Sequence, residues 1–182
     1  MTSDRLSVPD NIYVDTSVLT GAGRGVFAKE RIPAGTLIEQ CPVVALPDKR
    51  DRDRLRKTGL VNYYFLWGEK RDCAAICLGW GAVYNHSFEP NARYEKVMDH
   101  LRMDFTALRD IEAGEEILVN YNGAPDDRRP LRMPGIPSEA GGMPKATLPY
   151  PLGGLVRRAK LLSAWVSGKS SGFAFVLVAA GY

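Results

Sequence analysis

Two well-separated segments of this chain repeat the same turn, and that repeat favours a fold built from short strands. Ile32-Pro-Ala-Gly35 precedes the apolar pair Leu37-Ile38, and Ile111-Glu-Ala-Gly114 precedes Ile117. An Ala-Gly pair before an extended apolar segment is typical of a tight turn that leads into a strand. Two such units predict many short strands joined by tight turns, so we expect a mostly β body. The shared unit is too short to indicate a repeat architecture.

Other segments have the alternation or the composition of strands. They are Ile12–Leu19, Val26–Ala28, Leu37–Gln40 continuing beyond Pro42 as Val43–Leu46, Tyr63–Trp67, and a hairpin of Tyr94–Met98 and Leu101–Ala107. The aromatic segment 63–67 is more typical of a core strand than of a ligand-binding cluster. The charged block Pro47–Lys57 predicts a solvated loop that leads into a short helix, with a binding patch as the alternative.

Polar side chains interrupt an apolar run in the middle of the chain. The run Ala74–Val83 ends at Tyr84-Asn85-His86-Ser87, and Pro90-Asn91 follows shortly after. Hydrogen-bonding side chains between a buried segment and a proline turn indicate either a ligand site or a forced backbone bend. The local pattern alone leaves both interpretations open.

Charge and composition divide the chain into a body and a tail. Residues 1–122 carry 16 Lys and Arg against 18 Asp and Glu, whereas residues 123–182 carry 8 against 3. The body is therefore slightly acidic and has no basic stripe, so direct nucleic-acid binding is not expected. We predict a domain over residues 11–122 and a basic tail over 123–182.

The tail is unusual in composition, with 7 Pro and 9 Gly among its 60 residues. This content predicts a disordered or atypical segment. Within it, Leu155–Val166 could form an amphipathic helix, and the apolar segment Phe173–Ala180 is too short to cross a bilayer. No transmembrane segment is therefore expected. A membrane-surface tail, a partner-docking tail and an aberrant terminus all remain open.

The three cysteines, Cys41, Cys73 and Cys77, do not form a paired framework, which fits a reducing compartment. Only two histidines are present, so buried thiols are favoured over a metal site and no metal is expected. The polar segment Met1–Asn11 lacks the features of a secretory signal. The sequence thus predicts a cytoplasmic protein, or a nuclear one in a eukaryote, and not a secreted one.

Four motifs in order carry a family resemblance. They are Gly23-Arg-Gly-Val-Phe-Ala28, Ile32-Pro-Ala-Gly35, Tyr84-Asn-His-Ser-x-x-Pro-Asn-Ala92 and Ala113-Gly-Glu-Glu-Ile-x-x-Asn-Tyr121. Together they resemble the SET domain of protein-lysine methyltransferases over about residues 11–122. The resemblance implies a β-clip fold of small curved sheets with short helices. It also implies a C-terminal pseudoknot, in which the chain near Asn85–Ser87 meets the chain near Tyr121.

The resemblance further implies S-adenosylmethionine as methyl donor and a lysine-containing protein as substrate. It implies that the backbone at Gly23, Arg24 and Gly25 approaches the methionine part of the cofactor. The same likeness implies that Asn85 bonds the cofactor's amino group and that the His86 backbone meets the adenine. Tyr84 also belongs to the implied cofactor site, and Tyr121 matches the family's catalytic tyrosine and borders the cofactor. Candidate substrate-channel residues are Tyr63, Tyr64, Trp67 and Val119.

These residue types suit methyl transfer to an amine. A free lysine has a pKa near 10.4, so only on the order of a thousandth is neutral at pH 7. A dry aromatic channel disfavours the ammonium form, and tyrosine hydroxyl and carbonyl dipoles orient the amine without a competing charge. The slightly acidic body also suits a lysine-rich partner.

The chain departs from the family pattern in three ways. Val119 occupies a position where many relatives carry an aromatic residue, and a smaller side chain widens the channel, so multiple methylation is expected. Phe88 stands where a cysteine is common, and no cysteine cluster follows Tyr121, so a zinc-bound post-SET module is not expected. The alternative function is therefore a catalytically inactive SET fold that serves as a binding module. The oligomeric state is left open.

Overall fold

The computed structural model describes residues 6–131, which form nine strands, one α-helix and one 3-10 turn. In chain order these are β1 (Ile12–Thr16), β2 (Arg24–Ala28), β3 (Leu37–Leu46), α1 (Lys49–Leu55), β4 (Tyr64–Trp67), β5 (Cys73–Cys77), β6 (Asn85–His86), β7 (Ala92–Val97), the 3-10 turn Met98–His100, β8 (Arg102–Ala107) and β9 (Leu118–Val119). The mostly β prediction is confirmed. The tail segments 155–166 and 173–180 lie outside the described residues.

The strands form three sheets around one buried cluster. β1 and β2 make an antiparallel pair, β4-β5-β3-β8-β7 make a five-stranded antiparallel sheet, and β6 and β9 make a short parallel pair. Val26 from β2, Ile38 from β3, Phe105 from β8 and Val119 from β9 all belong to the same apolar core. Side chains from all three small sheets thus pack into one common core, and the sheets do not stack as large layers.

The two Ala-Gly turns that the sequence repeats lie against each other. Ile32 donates its N–H to the Ile111 carbonyl at 2.8 Å, and Ile111 returns the bond at 2.9 Å. Both isoleucines are buried. Gly35 and Gly114 have φ values of 79° and 80°, in the left-handed region that favours glycine. The repeat therefore marks two matching turns that pair, a contact that the sequence pattern did not predict.

The predicted pseudoknot is confirmed by the pairing of β6 with β9. Asn85 lies opposite Leu118 and His86 opposite Val119. The Asn91 side chain holds this pairing in place, since its amide donates to the Glu116 carbonyl at 2.8 Å and its Oδ1 accepts from the Leu118 N–H at 2.7 Å. Because Asn91 is buried, these bonds satisfy polar groups that would otherwise be costly. The Pro90-Asn91 element thus serves the pseudoknot.

The charged block after β3 forms the predicted loop and short helix. Asp48 caps α1 by accepting the Arg50 N–H at 2.8 Å, and the helix buries none of its residues. Its ion pairs, such as Arg54 with Asp51 at 2.7 Å, lie on the surface. Exposed pairs of this kind contribute little stability, so the solvated-loop interpretation fits the block.

Residues just beyond the predicted domain boundary also contribute to the fold. The Asn120 amide donates to the Asp127 carbonyl and the Asn122 amide to the Arg129 carbonyl, each at 2.7 Å, and Leu131 is buried. We expect a chain ending at Leu131 to keep its melting temperature, whereas a chain ending at Gly123 should lose about 5 °C or more. Thermal unfolding monitored by circular dichroism checks this, and equal melting temperatures would contradict it.

Candidate functional site

Tyr121 is held at both ends against the segment that precedes Ser87. Its backbone N–H donates to His86 Nδ1 at 3.2 Å, and its hydroxyl donates to the Tyr84 carbonyl at 2.8 Å. The β6–β9 pairing brings these distant residues together. The half-buried tyrosine therefore presents a hydroxyl of fixed direction beside a backbone carbonyl.

Burial keeps both titratable groups of this contact neutral. It raises the pKa of the Tyr121 hydroxyl well above its ordinary value, with smaller contributions from neighbouring groups that include the Tyr63 hydroxyl. Burial also lowers the pKa of His86 to about 4. Tyr121 is therefore a hydrogen-bond donor and His86 a neutral imidazole at physiological pH.

The tautomer of His86 follows from its contacts. Because Nδ1 accepts the Tyr121 N–H, the proton lies on Nε2. This Nε2–H is buried and has no hydrogen-bond partner among the described residues. The imidazole meets the Phe88 ring edge-on, with the ring centroids 4.5 Å apart. His86 is thus a packed structural residue whose Nε2–H donor has no partner among the described residues.

Glu116 organises the other side of the site, and the sequence interpretation missed this role. Its buried carboxylate accepts from the Ser17 hydroxyl at 2.8 Å, from the Val18 N–H at 2.9 Å and from the Asn85 amide at 2.8 Å. The Asn85 amide also donates to the Arg24 carbonyl at 2.8 Å. Glu116 was noted only as part of a motif, and its place just before buried Ile117 was the available signal.

The glycines of the first motif serve two different purposes. A Cβ on Gly25 would lie 2.1 Å from Glu116 Oε1, so the missing side chain makes room for that carboxylate. Gly23 instead has φ of 79° and nothing within 4 Å of a Cβ placed on it. The resemblance assigned both to cofactor approach, whereas the space at Gly25 is filled by the protein itself.

The polar groups of this site that the described residues leave unpaired fit the cofactor that the resemblance implies. Both amide hydrogens of Asn85 are used, and its Oδ1 accepts no hydrogen bond from residues 6–131, so it can accept from an ammonium group. The exposed residues Gly23 and Arg24 lie beside it, since the Arg24 carbonyl accepts one of the Asn85 amide hydrogens. An amino-acid ammonium is the type of group this arrangement can bind.

A cavity of about 790 Å³ opens on the Tyr121 side of the pseudoknot. Of the predicted channel residues, Tyr63 and Tyr64 line it, together with Tyr84 and Tyr121. The full lining comprises Val61, Asn62, Tyr63, Tyr64, Phe65, Leu66, Arg71, Ala82, Tyr84, Tyr94, Lys96, Tyr121, Asn122, Arg129, Pro130 and Leu131. Trp67 and Val119 are not among them and lie in the apolar core. The cavity is not bordered by Gly23, Asn85 or His86.

Tyr84 contributes its backbone more than its side chain. Its ring stacks on Phe105 with centroids 4.4 Å apart, and its hydroxyl donates to buried Glu39 Oε2 at 3.0 Å. Glu39 also accepts the Trp80 N–H at 3.0 Å. A β-bulge between Leu37 and Glu39 explains why this carboxylate points inward directly after buried Ile38. The role of Glu39 was not predicted either.

Within the described part of the chain, no cluster of three or more metal-ligating side chains is present. Cys41 and Cys77 are buried, and the Cys73 thiol donates to the Pro47 carbonyl at 2.9 Å. No helix over the same residues is long and apolar enough to cross a membrane.

Similarity to known proteins agrees with the geometry. The sequence model of the SET domain matches residues 23–122. The histone-lysine N-methyltransferase of Schizosaccharomyces pombe named as specific for H3 lysine-37 is 34% identical over 99 residues, covering 54% of this chain and 66% of that protein. An H3 lysine-36-specific enzyme of Cryptococcus neoformans is 34% identical over 116 residues, covering 60% of this chain and 14% of that protein. The chain thus spans less than two thirds of either relative.

A solved structure has a similar fold. The polycomb repressive complex 2 of Chaetomium thermophilum, in an autoinhibited conformation bound to S-adenosylmethionine, matches 63% of this chain and 15% of that chain. The TM-score is 0.52 and the sequence identity 23%. At that identity the likeness concerns the fold alone.

Proposed function

The chain belongs to the SET-domain family, and from this premise we propose that it is a protein-lysine N-methyltransferase that uses S-adenosylmethionine. The observation that supports this most directly is the Tyr121 hydroxyl, which donates to the Tyr84 carbonyl at the wall of an aromatic cavity. Asn85, with a free Oδ1 beside the exposed residues Gly23 and Arg24, provides the cofactor side of the same pseudoknot.

The residues of this chain mainly position the amine and favour its neutral form, whose proton is lost to solvent. S-adenosylmethionine supplies a methyl group attached to a positively charged sulfur. Transfer to an amine is an in-line displacement, for which alignment is the main requirement. The Tyr121 hydroxyl and the Tyr84 carbonyl offer dipoles of fixed direction without a full charge. Burial of an entering lysine against the tyrosines that line the cavity would lower the pKa of its ammonium group and favour the neutral form.

We extend the proposal to histone H3 as substrate and to the nucleus as compartment. Both named relatives are H3-specific enzymes, one for lysine-36 and one for lysine-37. The tail of a histone is basic, and residues 1–122 of this chain carry an excess of acidic side chains.

The test is a transfer assay with radiolabelled S-adenosylmethionine on recombinant histone octamers. Matched octamers carry H3 with lysine 36, lysine 37 or both replaced by arginine. Transfer that falls when one of these lysines is absent supports the proposal. Calorimetric binding of the cofactor without transfer to any octamer or peptide indicates the inactive binding module, and no cofactor binding at all excludes the enzyme.

Val119 provides a test of product multiplicity. We expect the wild-type chain to form di- or trimethyl-lysine. Val119 packs in the apolar core and does not line the cavity, so its size acts on the amine indirectly, through the position of Tyr121 two residues later. Val119→Phe should shift the product towards monomethyl-lysine, and intact-mass spectrometry of the substrate measures the ratio. Val119 is only 1% exposed, so overpacking could cost about 1–3 kcal/mol. Val119→Ile, with a measured melting temperature, is the control, and a wild-type product that is only monomethylated would contradict the expectation.

A further inference from the structure

The cavity beside Tyr121 is lined by three cationic side chains, of which only one forms an ion pair with a carboxylate of the described residues. Its lining includes Arg71, Lys96 and Arg129 but no Asp or Glu. Arg129 forms an ion pair with Asp127. Arg71 and Lys96 form no ion pair with any carboxylate in the part of the chain that the structure describes. Two cations therefore face the cavity without an ion-pair partner among the described residues, since the nearby Asp127 carboxylate, which Arg71 influences, is paired with Arg129.

Arg71 occupies a backbone position that is unfavourable for a residue with a side chain. Its φ is 53°, in the turn between β4 and β5, where its N–H donates to the Gly68 carbonyl at 3.0 Å. A left-handed conformation is unfavourable for a residue with a Cβ, because the Cβ comes too close to the following carbonyl oxygen. The exposed guanidinium forms no hydrogen bond with residues 6–131, and its contribution to the fold is an electrostatic effect on neighbours that include Asp127. Strain kept at a cavity residue points to a use in binding.

Lys96 lies deeper in the same wall. Its Nζ donates to the Leu66 carbonyl at 2.5 Å, which directs the half-buried ammonium to one place. Burial, and to a lesser degree the charge of Arg71, lowers the pKa of Lys96 to about 8. Arg71 and Lys96 both line this cavity.

Lys96 is connected to Tyr121 through β7. Tyr94 and Lys96 are two positions apart on this strand and point to the same face. The Tyr94 hydroxyl donates to the Tyr121 carbonyl at 3.2 Å. A peptide that reaches Tyr121 through the cavity therefore passes along a wall that carries Lys96 and, at its rim, Arg71.

We propose that Arg71 and Lys96 form a subsite for a carboxylate of the substrate, supplied by an Asp or Glu close in sequence to the target lysine. This inference rests on the proposed lysine N-methyltransferase activity and not on the assignment of histone H3, which was argued from the basic charge of the histone tail. The two cations repel an ammonium, so they also keep the target lysine away from this end of the cavity. The cofactor's own carboxylate is the other possible source, but Gly23, Asn85 and His86 do not border the cavity.

The test uses fluorescent 11-residue peptides with one central lysine, in which each other position in turn is Glu or Gln. Anisotropy is measured with saturating S-adenosylhomocysteine, so binding is read without turnover. We expect one or two positions at which Glu binds about tenfold more tightly than Gln, and we expect Arg71→Gly and Lys96→Met to remove that preference. Arg71→Lys should retain part of it, and Lys70→Gln, which changes an exposed neighbour outside the cavity, should retain all of it.

The melting temperature distinguishes a binding role of Arg71 from a structural role. Because glycine adopts positive φ freely, Arg71→Gly should leave the melting temperature unchanged or raise it while the Glu preference disappears. A wild-type chain without any Glu preference, or an Arg71→Gly chain that keeps it, overturns the proposal. Variants that lose affinity for S-adenosylhomocysteine instead assign the carboxylate to the cofactor and also overturn it. The octamer transfer assay tests the proposed function independently of this proposal.

Discussion

Tyr121→Phe should lower the rate of methyl transfer by about a hundredfold or more while changing the melting temperature little. The substitution removes only the hydroxyl that donates to the Tyr84 carbonyl, and the ring keeps its contact with His86. The backbone bond to His86 Nδ1 also remains. The loss should therefore appear in the kcat measured with octamer or peptide substrates. The affinity for the cofactor, measured by calorimetry, should not change.

The pH profile distinguishes positioning from proton abstraction by Tyr121. Burial raises the pKa of this hydroxyl, so it stays protonated throughout the accessible range and cannot serve as a base. The rate should rise with pH as the target lysine becomes neutral, and Tyr121→Phe should keep the shape of that profile at a lower level. Tyr13→Phe, whose ring packs on Phe27 away from the cavity, is the matched control. Equal rates for Tyr121→Phe and wild type would contradict the assignment.

Local patterns in the sequence were sufficient for most of the elements but not for the site, where they left a ligand site and a backbone bend both open. β1 to β4, the short helix and the hairpin of β7 and β8 follow from alternation and turn residues, which act over a few positions, whereas β5 was not predicted as a strand. The meeting of Asn85–Ser87 with the chain near Tyr121 came from the family resemblance, because no local rule predicts a parallel pair of two-residue strands.

The buried carboxylates could not be predicted in the same way. The Ser17 hydroxyl and Glu116 are 99 positions apart, and Tyr84 and Glu39 are 45 apart. A Glu in a motif reads as a surface residue until its distant donors are known, since burial of an unpaired charge is prohibitive. The same limit applies to the aromatic run, in which Tyr63 lines the cavity and Trp67 packs in the core.

Glu116→Ala should be among the most destabilising single substitutions in the domain. It leaves the Ser17 hydroxyl, the Val18 N–H and one Asn85 amide hydrogen without their acceptor. Of these donors only the Asn85 amide is buried, and a buried unpaired donor costs about 1–3 kcal/mol, whereas the other two can turn to water. We expect a loss of about 1–3 kcal/mol in the free energy of unfolding, measured by urea denaturation. Cofactor affinity should fall as well, because Asn85 loses the partner that orients its amide. Glu112→Ala, on an exposed side chain, is the control.

A double-mutant cycle with Gly25→Ala then shows why that glycine is required. In the wild-type background the new methyl would lie 2.1 Å from Glu116 Oε1, so Gly25→Ala should be strongly destabilising without any cofactor present. In the Glu116→Ala background the obstructing carboxylate is gone, and the same change should cost little, which gives a large coupling energy between the two positions. If Gly25→Ala instead leaves the apo stability intact in both backgrounds and weakens only cofactor binding, then the glycine serves the cofactor. In that case the contact with Glu116 is not the reason for it.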